Sequence, residues 1–197
     1  MGDQRKLAAI LSADVAGYSR LMGDDEGATL STLTKYREIM REHIAAHHGR
    51  VVNAPGDALL AEFPSAVQAV ESAIEIQITL AARNVELPEH RRMLMRIGIN
   101  LGDVIDQDGA LYGDGVNIAA RLEALCEPGG VCVSGTIFDQ IDNKVPVNFR
   151  FAGKQIVKNI VKLVRAYHAQ LQVKMHLFDA RQGAGSASSW LVSFAPL

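Results

Sequence analysis

Cysteine, tryptophan and long apolar runs are scarce in this chain of 197 residues, which has two cysteines and one tryptophan. Two thiols do not make a disulfide scaffold. Cys126 and Cys132 flank a Pro-Gly-Gly turn, and we read both as reduced, with buried packing the role expected for Cys132. No apolar run approaches the roughly 18 residues that a membrane span needs. Charge of one sign is also lacking: 20 Lys and Arg against 22 Asp and Glu give a net charge of −2. That balance offers no basic face for nucleic acid. Met1 to Lys6 lacks the apolar core of a secretion signal, so a cytoplasmic setting is the expectation. What the chain does have is 48% hydrophobic residues, enough for one sizeable core and a tail.

The first informative stretch is Ile10-Leu11-Ser12-Ala13-Asp14-Val15-Ala16-Gly17-Tyr18-Ser19. An apolar strand ends at a carboxylate and turns through a glycine into a helix start. Asp14 therefore lies beside free backbone N–H groups, a corner that can hold a divalent cation and the phosphates it neutralises. The alternative at this point is a plain helix N-cap. The second stretch, Val51 to Phe63, reads as strand, tight turn and strand, with Asp57 directly after Gly56. Two neighbouring strands can direct Asp14 and Asp57 at one metal site, although Asp57 also suits an ordinary hairpin. In the third stretch, Tyr112 to Glu123, Asn117 and Arg121 are four residues apart and share a helix face.

Taken together and in this order, the three stretches resemble the catalytic domain of class III nucleotide cyclases, the adenylate/guanylate cyclase family, from about Arg5 to His168. The resemblance implies that Asp14 and Asp57 hold two metal ions, Mg²⁺ or Mn²⁺. It implies that Asn117 and Arg121 act on the ribose and triphosphate bound by the other protomer, so that a homodimer shares its sites. The amides of Ala16, Gly17 and Tyr18 would cradle phosphate, and Lys158 resembles the family's triphosphate-contacting lysine. The implied reaction is conversion of ATP to 3′,5′-cyclic AMP and pyrophosphate. Two positions depart from the pattern. Where adenylate cyclases carry a lysine and an acidic or hydroxyl residue to read adenine, this chain has Asn53 and Ala110. A guanylate or mixed-specificity cyclase, or a catalytically silent nucleotide-sensing domain, is therefore the alternative.

The order of elements predicts an α+β fold, which the resemblance narrows to a ferredoxin-like βαββαβ core with extra elements. Lys6 to Val15 reads as a buried strand, Asp24 to His48 as one long helix stopped by Gly49, and 66–83 as a core helix. Met93 to Leu101 reads as a strand that ends before a turn at Asp103. His43 and His47 have a zinc-compatible spacing but no evident third ligand, and are expected at a solvated helix end. Residues 1–170 form the expected catalytic domain, and the small-residue composition after Leu171 predicts a poorly ordered tail or linker over 171–197.

Overall fold

The computed structural model describes residues 4–141, 143–155 and 163–171. Lys158 and, apart from Leu171, the expected tail lie outside the described residues. The strands are β1 (Gln4–Val15), β2 (Arg50–Asn53), β3 (Leu59–Phe63), β4 (Met95–Gln107), β5 (Ala110–Tyr112), β6 (Val131–Ser134), β7 (Phe149–Gln155) and β8 (Val164–Ala169). The helices are α1 (Tyr18–Asp24), α2 (Glu26–Ala46), α3 (Ala66–Val85), α4 (Asp114–Leu125) and α5 (Gly135–Ile141).

β1 is central because it is apolar on both faces. Ala9, Leu11, Ala13 and Val15 enter one cluster, while Ala8 and Ile10 enter another on the opposite side. It pairs antiparallel with β3, where Ala13 faces Leu59, and with β4, where Asp14 faces Arg96. The sheet runs β2-β3-β1-β4-β6-β8-β7, with β5 folded back onto β4. Its first half, two β-α-β units each split by a strand of the other, is the ferredoxin-like core expected from the sequence. The larger core lies on one face, where Leu33, Tyr36, Met40 and Ile44 of α2 and Ala69, Val70, Ala73 and Leu80 of α3 cover the odd-numbered positions of β1.

The opposite face receives α4. Gly98 on β4 makes this approach possible: an added Cβ would stand 2.2 Å from the Glu123 amide nitrogen and 2.3 Å from the Ala119 oxygen. The helix backbone rests directly on the strand. Cys126 and Cys132 pack at this end with Leu122 and Ala166, both of them free and buried, the burial having been expected for Cys132 alone.

The long helix expected over Asp24 to His48 is α2, started by Asp25, which is extended (φ −163°) and whose carboxylate accepts the Ala28 amide at 2.9 Å. Two local expectations change. The strand expected to stop before Asp103 continues to Gln107, since β1 pairs along the whole length, Leu7 with Asp103 included. His43 and His47 are only partly solvated: both bond Glu75 of α3, at 3.2 and 3.0 Å, and His43 also meets the Thr79 hydroxyl at 3.0 Å. They clasp α2 to α3.

Candidate active site

Asp14 lies one residue from the end of β1, where the strand leaves the sheet toward α1. Across the β1–β4 pair, the Arg96 Nε donates to its Oδ1 at 2.8 Å and Nη2 donates to Oδ2. The two side chains are 21% and 28% exposed, so the pair is shielded yet open to solvent on one side. Asp57 sits within the β2–β3 turn, directly after Gly56, and its Oδ2 accepts the Val15 amide at 3.4 Å. The two aspartates, 43 positions apart by their numbers 14 and 57, thus meet within one residue of each other. Antiparallel pairing of β1 with β3 produces this meeting.

Behind Asp14 is a second layer that the sequence reading missed. The Ser12 hydroxyl donates to Glu123 Oε2 at 2.7 Å. Burial pushes the Glu123 carboxyl up to about 7; the Ser12 bond opposes that rise, the negative charge of Asp14 adds to it and Arg96 opposes it. Glu123 stands two positions beyond Arg121, on the buried side of α4. A signal for both missed groups existed. Arg96 is the one charge in the apolar run Met95 to Leu101, and Glu123 is the acid among the buried residues of α4.

Asn117 and Arg121 are both exposed. Among the described residues neither has a side-chain hydrogen-bond partner, while Gly115, Ala119, Leu122 and Glu123 hold the other side of α4 against the sheet. Each chain therefore displays this pair outward, on a different face of α4 from the one nearest Asp14. The phosphate cradle needs one correction. The Ala16 amide donates to the Leu94 oxygen at 2.9 Å, because the chain is still paired with the segment entering β4, and is not free for phosphate. Gly17 and Tyr18 remain.

Asn53 and Ala110 come from segments that Arg50 ties together by donating to the Gly109 oxygen at 3.2 Å. The Asn53 side chain is turned back onto its own backbone, with Oδ1 accepting the Ala54 amide at 2.8 Å. Ala110 offers a methyl group.

As donors, Asp14 and Asp57 supply hard carboxylate oxygens, the kind that Mg²⁺ and Mn²⁺ accept. Arg96 engages both Asp14 oxygens but leaves lone pairs on each, so the residues present fit such ions. No group of three or more His, Cys, Asp or Glu side chains is arranged to hold a metal among the described residues. The remaining coordination would fall to water and substrate phosphate, as is usual for Mg²⁺.

A ferredoxin-like sheet with two aspartates at adjoining strand ends, and an Asn/Arg pair turned out on the helix across the sheet, defines the class III nucleotide cyclase fold. The chain belongs to the adenylate and guanylate cyclase catalytic domain family, whose model matches residues 3–178. It is 46% identical over 165 residues to a Rhizobium meliloti (strain 1021) protein named "Putative adenylate cyclase 3", covering 83% of this chain and 28% of that protein. The chain thus spans less than a third of that relative. It resembles the crystal structure of an adenylate/guanylate cyclase/hydrolase from Silicibacter pomeroyi, with TM-score 0.81, 42% identity, and coverage of 85% of this chain and 98% of that one. It shares its fold with the adenylyl cyclase CyaB of P. aeruginosa, with TM-score 0.75, 23% identity, and coverage of 94% and 100%. Among the described residues no helix is long and apolar enough to cross a membrane.

Proposed function

We propose that this chain converts ATP to 3′,5′-cyclic AMP and pyrophosphate at two equivalent sites of a homodimer. The observation that carries this reading is the meeting of Asp14 and Asp57 at the Val15 amide, in a subunit whose Asn117 and Arg121 face outward. Asp14 and Asp57 would hold two divalent ions, Mg²⁺ or Mn²⁺. Bound there, such ions acidify a ribose hydroxyl and neutralise a triphosphate.

The chain's own residues would do the rest. Asp14 and Asp57 fix the place of the triphosphate against the sheet edge, and the Gly17 and Tyr18 amides donate to its oxygens. A triphosphate arriving with its ions competes for Asp14 and gives the Arg96 guanidinium a polyanion to pair with. Arg121 of the partner subunit would offset charge developing on the α-phosphoryl group, and Asn117 of the partner subunit would orient the ribose. The 3′-hydroxyl oxygen, its proton released to solvent, then bonds to the α-phosphorus as the bond to the pyrophosphate oxygen breaks. Lys158, outside the described residues, is proposed as a further triphosphate contact.

A second reading concerns the base. With Asn53 folded onto Ala54 and a methyl at Ala110, neither side chain is set to read adenine, which favours mixed ATP and GTP specificity. Each hydrogen bond that a buried base goes without costs on the order of 1–3 kcal/mol of discrimination. Purified protein given ATP or GTP, each with Mg²⁺ or Mn²⁺, and read by chromatography, tests both readings. Cyclic AMP in large excess over cyclic GMP supports the adenylate cyclase, and comparable products support the permissive pocket. Nucleotide binding without product would overturn both in favour of a sensing domain.

A further inference from the structure

The turn that carries Asp57 is held from outside the hairpin by one side chain. Arg37, on α2, directs its Nη2 at three main-chain oxygens of the turn: Ala54 at 3.0 Å, Ala58 at 3.3 Å and Gly56 closer still. One Nη2 has two hydrogens, so three convergent carbonyls exceed what paired hydrogen bonds require. The arrangement is a nest of carbonyl dipoles around a cation. Gly56 and Ala58 are the immediate neighbours of Asp57, so the backbone is pinned on both sides of the carboxylate.

The turn does little to hold itself. Within it, Ala58 donates to the Pro55 oxygen at 2.9 Å, Gly56 sits at φ +55°, and the β2–β3 register shifts between Val51 and Asn53. Without a positive charge, the Ala54, Gly56 and Ala58 oxygens would point at one another in a partly buried space, and the turn would relieve this by opening. Arg37 is also committed to this place: its Nε is buried and has no partner among the described residues. An arginine serving only as a loop staple would gain by turning that donor to an acceptor.

We infer that Arg37 is a positioning residue that sets where Asp57 stands relative to Asp14, and so sets the affinity of the site for divalent cations. Its guanidinium charge balances the inward carbonyls, and the Asp57 carboxylate is thereby kept at the Val15 amide. This inference rests on the reading of Asp57 as a metal ligand. Groups that orient a metal ligand without touching the ion typically change metal affinity by about 10- to 100-fold.

The test is Mn²⁺ binding to the full chain, read as free Mn²⁺ by electron paramagnetic resonance with a non-cleavable α,β-methylene nucleoside triphosphate present. Folding of every variant is checked by circular dichroism. Arg37→Met is expected to weaken Mn²⁺ by about ten-fold or more, with Arg37→Lys, which returns a point charge to the nest, lying between it and the wild type. A merely structural arginine would lower the melting temperature and leave Mn²⁺ affinity in the folded protein alone, and that result overturns the inference. Should Arg37→Met not fold, Arg37→Lys decides: a loss of about three-fold is expected, and unchanged affinity overturns the inference. Asp57→Ala separates the two levels. Wild-type affinity in that variant removes both the metal-ligand reading and the inference, whereas Mn²⁺ binding that depends on Asp57 and Arg37 without any turnover of ATP or GTP overturns only the cyclase activity.

Discussion

Arg96 and Asp14 are direct partners across the β1–β4 pair, and the guanidinium of one is forked onto both carboxylate oxygens of the other. The aspartate expected to bind metal is thus already neutralised by a fixed cation. This keeps two carboxylates and Glu123 from crowding negative charge into one corner of the protein, and it sets a competitor that an arriving divalent ion must meet.

Replacing Arg96 by Ala removes that competitor. In the absence of nucleotide, Mn²⁺ is expected to bind Arg96→Ala more tightly than the wild type. The pair is partly solvated, so the gain is about 1 kcal/mol, or about five-fold in affinity. Product formation is expected to fall, since the triphosphate loses a cation. Titration of free Mn²⁺ beside a rate assay checks both signs, and weaker Mn²⁺ binding by the variant would refute the competition.

Because Asp14 and Asp57 and the Asn117/Arg121 pair face different ways on one subunit, the proposed shared site should complement between subunits. Asp14→Ala and Arg121→Ala are each expected to be inactive. Mixed and reassociated in equal amounts, half the dimers are heterodimers with one intact site in two, giving about a quarter of wild-type activity. No recovery, with heterodimers verified by mass spectrometry, would exclude a shared site.

The seating of α4 predicts a severe effect at Gly98. In Gly98→Ala the new methyl meets backbone atoms of Ala119 and Glu123, which cannot move aside as a side chain would. A loss of about 3 kcal/mol or more is expected, measured as a lower urea midpoint. An unchanged midpoint would show that α4 is not anchored there.

The two thiols predict an alkaline dependence. Burial pushes Cys126 up to about 11 and Cys132 up to about 12 from an ordinary 9.0. Above pH 9 the unfolded chain sheds thiol protons that the folded chain keeps, so it binds fewer protons and stability falls as pH rises. The contribution is whole below pH 9 and is lost progressively toward pH 11–12. Cys132→Val, which does not titrate, should gain on the wild type by about 1 kcal/mol between pH 8 and pH 10. Urea midpoints at the two pH values give the answer, and a constant gap would contradict it.

Much of this was legible beforehand because it is local. The strand over Lys6 to Val15 and the helix over 66–83 appear as expected, since an apolar run marks one and helical apolar spacing the other. The start of α2 was legible too, because acidic residues at 24–26 mark a helix N-terminus locally and Asp25 caps it. Asp103 read as a turn because Gly-Asp is turn-like in isolation, and only the length of β1 draws it into a strand.

By itself, the sequence determined the chemistry on offer: an aspartate ending an apolar strand and another after a turn glycine, an Asn and an Arg four apart, two thiols too few for a scaffold, and Asn53 and Ala110 where the resembled family carries its adenine readers. The tertiary structure decided which groups stand beside those residues. Arg96 lies 82 positions from Asp14, Glu123 lies 111 from Ser12, and Arg37 reaches a turn 17 to 21 positions away. Periodicity reports a residue's own face and its near neighbours, whereas sheet register and helix docking set contacts at such separations. The ion pair on Asp14, the raised acid behind it and the cation under Asp57 therefore emerge only when the whole sheet is assembled.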